Sequence, residues 1–217
     1  MIALLNKEPQ TYQGQFGEYT ITKDDRQEVI IYRAGLAVAA ASFALASNLY
    51  FAQGNAILPW ITPLFALFTI GLGISLLTIH IYMVALHRTL QAFWLIGTIS
   101  AIAIAFNTNE PLALYVYNHP VTLWGIGFTF AALTGIYFKE AFCFNRTETK
   151  VLTLIVPFLL LGHMSGLMPV GIEQVLLAVW TIGFTIFAVR KLTQAIDPDI
   201  GDKSVFVYLQ QQREQKV

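Results

Sequence analysis

Long apolar runs separated by short polar segments occupy most of the chain. A helix that crosses the hydrocarbon layer of a membrane, about 30 Å thick, needs about 20 mostly apolar residues. Six runs meet or approach this length, namely residues 29–50, 60–84, 90–106, 121–138, 151–168 and 174–189. The pattern predicts an all-α polytopic membrane protein, a bundle of six transmembrane helices.

The segments before the first run and after the last run are more polar. The chain therefore divides into an N-terminal segment of residues 1–28, a transmembrane domain of residues 29–190 and a C-terminal tail of residues 191–217. Thr22 and Asp25 have the spacing of a capping box, which predicts a helix that continues into the first span. Alternating polar and apolar residues over 14–21 indicate a short strand. Residues 203–212 fit a strand or an amphipathic helix equally well.

The basic residues are distributed unevenly. All thirteen lie in or beside the two outer segments and the connections after the second and fourth spans, whereas the other three connections have none. Lys and Arg near the ends of spans are retained on the cytoplasmic side of a membrane. The distribution predicts that both termini are cytoplasmic, or stromal in a plastid, and an even number of spans agrees with this.

The composition narrows the class of protein. Hydrophobic residues make up 56% of the 217 residues and charged residues 12%, whereas soluble proteins have about 25% charged residues. So high an apolar content excludes a disordered chain, and a formal net charge of +0 argues against nucleic acid as a partner. A single cysteine, Cys143, excludes a disulfide framework. The lipid bilayer is the predicted environment.

Glycines recur in the three spans that run in the same direction. Gly71, Gly127 and Gly183 each follow an isoleucine and are 56 residues apart. The spacing fits three repeated helical hairpins, or a coincidence among glycine-rich apolar helices. Small residues four apart, such as Gly127 and Ala131, let helices pack closely in lipid, where no hydrophobic force drives helices together.

His80 is the one candidate cofactor ligand. It lies in the second predicted span near its cytoplasmic end, and polar groups inside hydrocarbon are costly and often functional. Its imidazole has the chemistry of an axial ligand for haem or chlorophyll. A hydrogen bond to a neighbouring helix explains a single histidine better, and His87, on the same predicted helix, cannot complete a ligand pair on one iron. We therefore expect no bound cofactor.

Four further polar residues, His119, His163, Glu110 and Glu173, lie near the non-cytoplasmic ends of the spans. Imidazole and carboxylate groups bind divalent metals, but no pair here has a spacing of three or four residues. Solvated loop ends explain the set equally well, and we assign no metal ligand. The sequence has no HExxH, GxSxG or P-loop motif, so we assign no catalytic residue and do not expect an enzyme.

The connection after the fourth predicted span, residues 139–150, mixes charged and aromatic side chains. Charge pairing across a short turn would fix the fourth and fifth spans, which is the simpler explanation. Aromatic residues and arginine are also enriched at protein interfaces. A partner-docking surface is therefore predicted at Lys139, Glu140, Phe142, Phe144 and Arg146.

Several strings of residues point to one family. They are GQFGEYTIT at 14–22, EVIIYRAGLAVAA at 28–40, TIHIYM at 78–83, FTFAALTGIYFKEAFCFNRTETK at 128–150, LLLGHM at 159–164 and DPDIGDKSVFVYL at 197–209. Together they resemble a family of uncharacterised integral membrane proteins of cyanobacteria and plastids, domain of unknown function 2301. The resemblance implies a photosynthetic organism and a thylakoid or plasma membrane. It implies no activity and no catalytic residue.

These observations favour a non-enzymatic accessory or assembly factor of photosynthetic membranes, with pigment–protein complexes as candidate partners. A small transporter or channel is the alternative, because Gly and Pro residues in the second and fifth spans favour local unwinding. No charged residue lies at the middle of a span, so the solute of such a transporter would be neutral or lipid-like.

Overall fold

The structure is a computed structural model that describes residues 8–214. An antiparallel hairpin of two strands, β1 (Gln10–Gly14) and β2 (Gly17–Ile21), precedes the helices. The helices are α1 (Lys23–Gln53), α2 (Leu58–Thr78), α3 (Val84–Asn107), α4 (Leu112–Asn118), α5 (Leu123–Phe144), α6 (Thr147–Met164), α7 (Val170–Thr193), α8 (Asp197–Ile200) and α9 (Ser204–Glu214), with 3-10 turns at Gly54–Ile57 and Pro120–Thr122. The predicted all-α fold is confirmed.

Five continuous helical stretches of the described chain are long and apolar enough to cross a membrane. The first stretch, residues 23–78, contains both α1 and α2. These two helices fold back on each other, since a Cβ atom added to Gly35 of α1 would lie 2.6 Å from the carbonyl oxygen of Gly71 in α2. A polytopic membrane protein is confirmed, and that all six long helices cross the membrane stays a prediction.

The six long helices form a closed ring. Each packs against the next in the order α1, α2, α3, α5, α6 and α7, and α7 packs against α1. The three hairpins suggested by the glycine spacing, α1–α2, α3–α5 and α6–α7, are therefore all pairs of neighbours. The short α4 packs mainly on α2.

Aromatic side chains fill the centre of this ring. The rings of Phe43 in α1 and Trp180 in α7 lie 4.5 Å apart, and those of Phe130 in α5 and Trp180 lie 5.3 Å apart. Phe68 of α2 contacts Phe130 at 5.7 Å. The indole N–H of Trp180 donates a hydrogen bond to the Tyr137 hydroxyl oxygen at 3.2 Å, which gives this buried donor an acceptor. Side chains, rather than open space, occupy the middle of the bundle.

Two of the three repeated glycines allow close packing. A Cβ atom at Gly71 would lie 2.6 Å from the Gly35 carbonyl oxygen, and one at Gly183 would lie 2.9 Å from Leu152 of α6. A Cβ atom at Gly127 would meet only Leu123 of its own helix, at 3.8 Å. The predicted packing role is therefore confirmed at Gly71 and wrong at Gly127, and the close contact at Gly183 was not predicted.

The described parts of both outer segments fold together against one end of the bundle, which we call the tail side. The opposite end is the far side. The Lys203 ammonium donates to Asp25 at 2.8 Å, and the Gln15 N–H donates to Asp202 at 2.6 Å. The Gln15 bond, with bonds from Ser204, holds the pKa of Asp202 below its ordinary value. The outer segments are therefore one folded layer rather than two separate tails.

The local predictions for these segments are largely confirmed. The capping box is present, with the Thr22 N–H donating to Asp25 at 2.7 Å. The predicted strand contains β2, and residues 204–212 are helical within α9, so the helix is the correct alternative there. The strand β1 was not predicted.

Several predicted span boundaries differ from the helix ends by four to six residues. The third span was expected to begin at residue 90, but α3 begins at Val84, and the fifth was expected to reach residue 168, but α6 ends at Met164. The second span was expected to reach residue 84, but α2 ends at Thr78, because Ile79 and Ile81 leave the helix and turn into the core. The fourth span was expected to end at 138, but α5 continues to Phe144. This extension is stable because Lys139 and Glu140 are paired inside the protein, so their charges do not require water.

Candidate functional site

His80 lies in the connection between α2 and α3. The prediction that it lies inside a membrane span is therefore wrong, because α2 ends two residues earlier. His87 lies in the first turn of α3, so the prediction that the two histidines share one helix is also wrong. The His87 Nε2 atom lies 2.7 Å from the Leu76 carbonyl oxygen at the end of α2.

The imidazole of His80 is held by the protein itself. Its Nε2 atom lies 3.2 Å from a carboxylate oxygen of Glu28, which suits an Nε2–H donor. Its Nδ1 atom is buried and has no hydrogen-bond partner in the described part of the chain. Burial lowers the pKa of His80 below its ordinary value, against the opposing effect of Glu28 and Asp25. A ligand role at Nε2 would require loss of the Glu28 contact, so the geometry favours a structural histidine.

A cluster of charged side chains is buried at the tail side, where α1, α5, α7 and α8 meet. The Lys191 ammonium donates to Glu140 at 2.6 Å and also to Asp199. Arg33 donates two hydrogen bonds to Asp199, at 2.6 and 2.9 Å. Lys191 and Glu140 are 0% exposed. Every charge faces an opposite charge, which avoids the large cost of an unpaired buried ion.

Two more cations and an aromatic ring extend this cluster. Lys139 donates to Glu140 at 2.9 Å, and Arg146 donates to the side chain of Gln194. The Lys191 ammonium lies 4.3 Å from the centre of the Phe144 ring, a cation–π contact. We call the six charged residues the ion cluster: Arg33, Lys139, Glu140, Arg146, Lys191 and Asp199.

The predicted docking residues fall into two groups. Lys139, Glu140 and Arg146 are buried in the ion cluster, and Phe144 packs on it. These four residues hold the chain together, as the simpler explanation of this segment requires, and they do not form an exposed surface. Phe142 is 84% exposed, and of the predicted set it alone remains open to a partner.

On the far side, two of the predicted polar residues come together. His163 Nδ1 lies 2.7 Å from Glu173, which also accepts a hydrogen bond from the Tyr117 hydroxyl at 3.2 Å. His119 directly follows α4, and its Nδ1 atom lies 2.9 Å from the Tyr115 carbonyl oxygen of that helix, whereas Glu110 lies exposed before α4. Within residues 8–214, no three His, Cys, Asp or Glu side chains are arranged to hold a metal ion.

Three members of the ion cluster were not predicted as a site. The sequence pattern marks Arg33 and Lys191 only as charges that orient the spans, and it places Asp199 only in the polar C-terminal segment. Arg33 did carry a signal, because it interrupts the first apolar run, where a charge is costly unless it is paired. Its partner could not be found from spacing, because Asp199 lies 166 residues away along the chain.

One family model matches the chain over residues 74–208, from the last turns of α2 into α9. The model is described as an uncharacterized integral membrane protein. The matched range includes Glu140, Lys191 and Asp199 of the ion cluster. No curated protein and no solved structure matches the chain. The chain belongs to the DUF2301 family of uncharacterized integral membrane proteins.

Proposed function

We propose that the protein is a non-enzymatic accessory or assembly factor that binds other membrane proteins through its outer surface. The observation that carries this proposal is the filled centre of the helix ring, where Phe43, Phe68, Phe130 and Trp180 pack on one another. A bundle with an occupied centre offers a solute no path between its helices. The surfaces that face lipid and water are then the ones that carry function.

The tail-side end of α5 has the character of a contact surface. Phe142 is 84% exposed and Phe138 is 53% exposed, and their rings stack at 6.5 Å. Aromatic side chains are enriched at the centres of protein interfaces. We call Phe138 and Phe142 the α5 aromatic face. The ion cluster holds this end of α5 in place through Glu140, so a partner would meet a preformed surface.

Photosynthetic membranes, and pigment–protein complexes as the partners, are the finer part of the proposal. Their support is the resemblance of the sequence to proteins of cyanobacteria and plastids. The non-enzymatic role is supported by the lack of catalytic motifs in the sequence and by the pairing of the buried charges with one another.

Co-purification from photosynthetic cells in mild detergent tests the proposal. We expect the tagged wild-type protein to recover membrane protein partners and Phe142→Ala to lose them. Phe106→Ala is the matched control, because Phe106 is a phenylalanine of similar exposure, 86%, at the far-side end of α3. Recovery of the wild-type protein alone would contradict the accessory role. Equal recovery of partners by Phe142→Ala would contradict the α5 aromatic face.

A small transporter or channel for a neutral or lipid-like solute is the second candidate. Pro63 lies inside α2 and Pro157 inside α6, and each removes a backbone hydrogen-bond donor from its helix. Local opening at these positions would be the first step of a transport cycle. The aromatic centre described above opposes this candidate, because it would have to separate for a solute to pass.

A further inference from the structure

Three helices meet at one histidine on the far side. His163, in the last turn of α6, has its Nδ1 atom 2.7 Å from a carboxylate oxygen of Glu173, in the first turn of α7. Its Nε2 atom lies 3.1 Å from the backbone carbonyl oxygen of Tyr117, near the end of α4. We call these three residues the far-side latch. It is separate from the α5 aromatic face and does not depend on the proposed accessory role.

Both ring nitrogens of His163 face oxygen atoms that accept hydrogen bonds and do not donate them. A backbone carbonyl carries no proton, and the Glu173 carboxylate also accepts a hydrogen bond from the Tyr117 hydroxyl at 3.2 Å. A neutral imidazole has a single N–H, so it donates to one oxygen and turns a lone pair towards the other. An imidazolium ion donates to both. The geometry therefore fits a His163 that is protonated on both nitrogens.

The surroundings of the ring also favour a positive charge. The carbonyl end of α6 is the negative end of its dipole, and Glu173 is favoured in turn at the positive end of α7. The Tyr117 ring centre lies 4.7 Å from the His163 ring centre, within the distance of a cation–π contact. The His163 and Glu173 side chains are 17% and 13% exposed, so water screens their attraction only in part.

No lysine or arginine competes for Glu173, because none occurs in the three stretches that contain the spans and the far-side connections, residues 34–87, 89–138 and 151–189. The far-side part of α5, residues 123–136, has no titratable side chain. His163 is therefore the cation that the sequence provides for Glu173.

The neighbouring titratable groups on the far side leave this pair intact. His119 turns to the Tyr115 carbonyl oxygen at 2.9 Å, and Glu110 is exposed before α4. Burial raises the pKa of the Tyr117 hydroxyl above its ordinary value, and Glu173 and Tyr50 of α1 act in the same direction. The Tyr117 hydroxyl therefore remains a donor to Glu173 in neutral solution.

We propose that the far-side latch is a pH-dependent switch, which holds the end of α4 against α6 and α7 while His163 carries both protons and releases it when one is lost. Histidine changes its charge between about pH 5 and 8. Loss of the proton removes the positive charge beside Glu173 and leaves one acceptor without a donor. The start of α4 stays in place, because Leu112 is buried and its N–H donates to Thr62 at 3.4 Å.

Amide hydrogen exchange of residues 113–122 tests the switch in the purified full-length protein in detergent. Exchange is compared at about pH 5.5 and about pH 8.5, on either side of histidine titration, with times scaled to the intrinsic rate at each pH. We expect exchange about tenfold faster at the higher pH, because a hydrogen bond to a charged group is lost. The connection at residues 51–58, which has no titratable side chain, is the internal reference and should not differ.

Three variants separate titration of His163 from a purely structural contact. His163→Gln keeps an N–H donor but takes no second proton, so its scaled rates should be equal at both pH values. His119→Gln is the matched control and should keep the wild-type difference, because His119 bonds only the end of α4. Tyr117→Phe removes the hydroxyl bond to Glu173 but keeps the carbonyl that faces His163, so exchange should rise at both pH values and the difference should persist.

Equal scaled rates in the wild type at the two pH values would overturn the switch, and so would faster exchange at the lower pH. A wild-type difference that persists in His163→Gln would assign the titration to another group. Loss of the difference in His119→Gln would assign it to His119. The wild-type comparison decides the question even where a variant does not fold.

Discussion

Lys191 shows how a single residue joins several elements. Its ammonium is wholly buried between the carboxylates of Glu140 and Asp199, and these belong to α5 and α8. A buried ion pair adds little net stability over an apolar core, but removal of one partner leaves the other charge unpaired. Removal of any one charged residue of the ion cluster should therefore destabilise the folded protein.

We predict that Lys191→Met destabilises the protein by about 3–5 kcal/mol, because two buried carboxylates lose their shared cation. The adjacent Arg190→Met is the matched control. Arg190 is 55% exposed, and its partner Glu148, 10% exposed, keeps a second cation, Arg146, at 3.9 Å, so the loss of Arg190 should cost about 1 kcal/mol or less. Denaturant titration of both variants in detergent measures the difference, and equal effects would show that the ion cluster is not a buried unit.

His80 provides a prediction about pH. Its pKa in the folded protein lies below the ordinary value of 6.5, because its Nδ1 is buried without an acceptor. The unfolded chain then binds the proton more readily than the folded one, so the stability from His80 is present above 6.5 and is lost as the pH falls below it. The unfolding temperatures of the wild type and His80→Gln should be nearly equal at pH 7, and on acidification the wild type should become the less stable of the two, because glutamine does not titrate. A difference that is independent of pH would contradict this account of His80.

A second prediction tests whether His80 has a structural role or binds a pigment or haem. We predict that the purified protein has no visible absorption band, because Glu28 occupies the Nε2 side of the ring. His80→Gln keeps a donor for Glu28 and should be nearly neutral at pH 7. A pigment or haem band in the wild type that is lost in His80→Leu would instead restore the ligand role.

At the scale of elements, the hairpin α1–α2 depends on glycine. The backbones of Gly35 and Gly71 approach so closely that a methyl group at Gly71 would lie 2.6 Å from a carbonyl oxygen, an atom that cannot move aside without shifting α1. The helix surfaces interlock through small residues, since lipid provides no hydrophobic force to press helices together.

We predict that Gly71→Ala destabilises the protein by about 1–3 kcal/mol, as overpacking does in a filled core. Gly127→Ala, the equivalent position in the sequence repeat, meets only Leu123 of its own helix at 3.8 Å and should be neutral or stabilising by up to about 1 kcal/mol. Thermal unfolding of the two variants in the same detergent is the measurement. A cost at Gly127 equal to that at Gly71 would mean that the repeated glycines share one packing role after all.

Signals between neighbouring residues predicted where a helix begins. The residue at which a helix ends was harder to predict where charged side chains pair with residues on other helices. The capping box at Thr22 depends on neighbouring residues only, so the start of α1 was accessible from the sequence. The end of α5 was not, because Lys139 and Glu140 resemble a solvated loop until their partners on other helices are known. The three charged docking residues, Lys139, Glu140 and Arg146, were misplaced for the same reason, since they face inward, whereas docking at Phe142 stays a prediction.

At the scale of the whole molecule, the bundle is closed at its centre and covered at one end. β1, β2, α8 and α9 form a layer on the tail side, joined by Lys203–Asp25 and by the stacking of Phe16 on Tyr208 at 4.0 Å. The apolar runs predicted the membrane helices, but they carry no information on how the N-terminal and C-terminal segments contact each other. Because the two tails form one layer at one end of the bundle, we predict that both lie on one side of the membrane, with six crossings between them.

Labelling by a membrane-impermeant maleimide in sealed vesicles of known orientation tests this claim most directly. Cys143, the only cysteine in the chain, is exposed at the tail-side end of α5. In a Cys143→Ser background, Lys23→Cys reports the start of α1, and Asn55→Cys and Leu167→Cys report the far side. We predict that Cys143 and Lys23→Cys react from one side and the other two from the opposite side. Labelling of Lys23→Cys and Cys143 from opposite sides, or of Asn55→Cys from the side of Cys143, would contradict the six-crossing bundle.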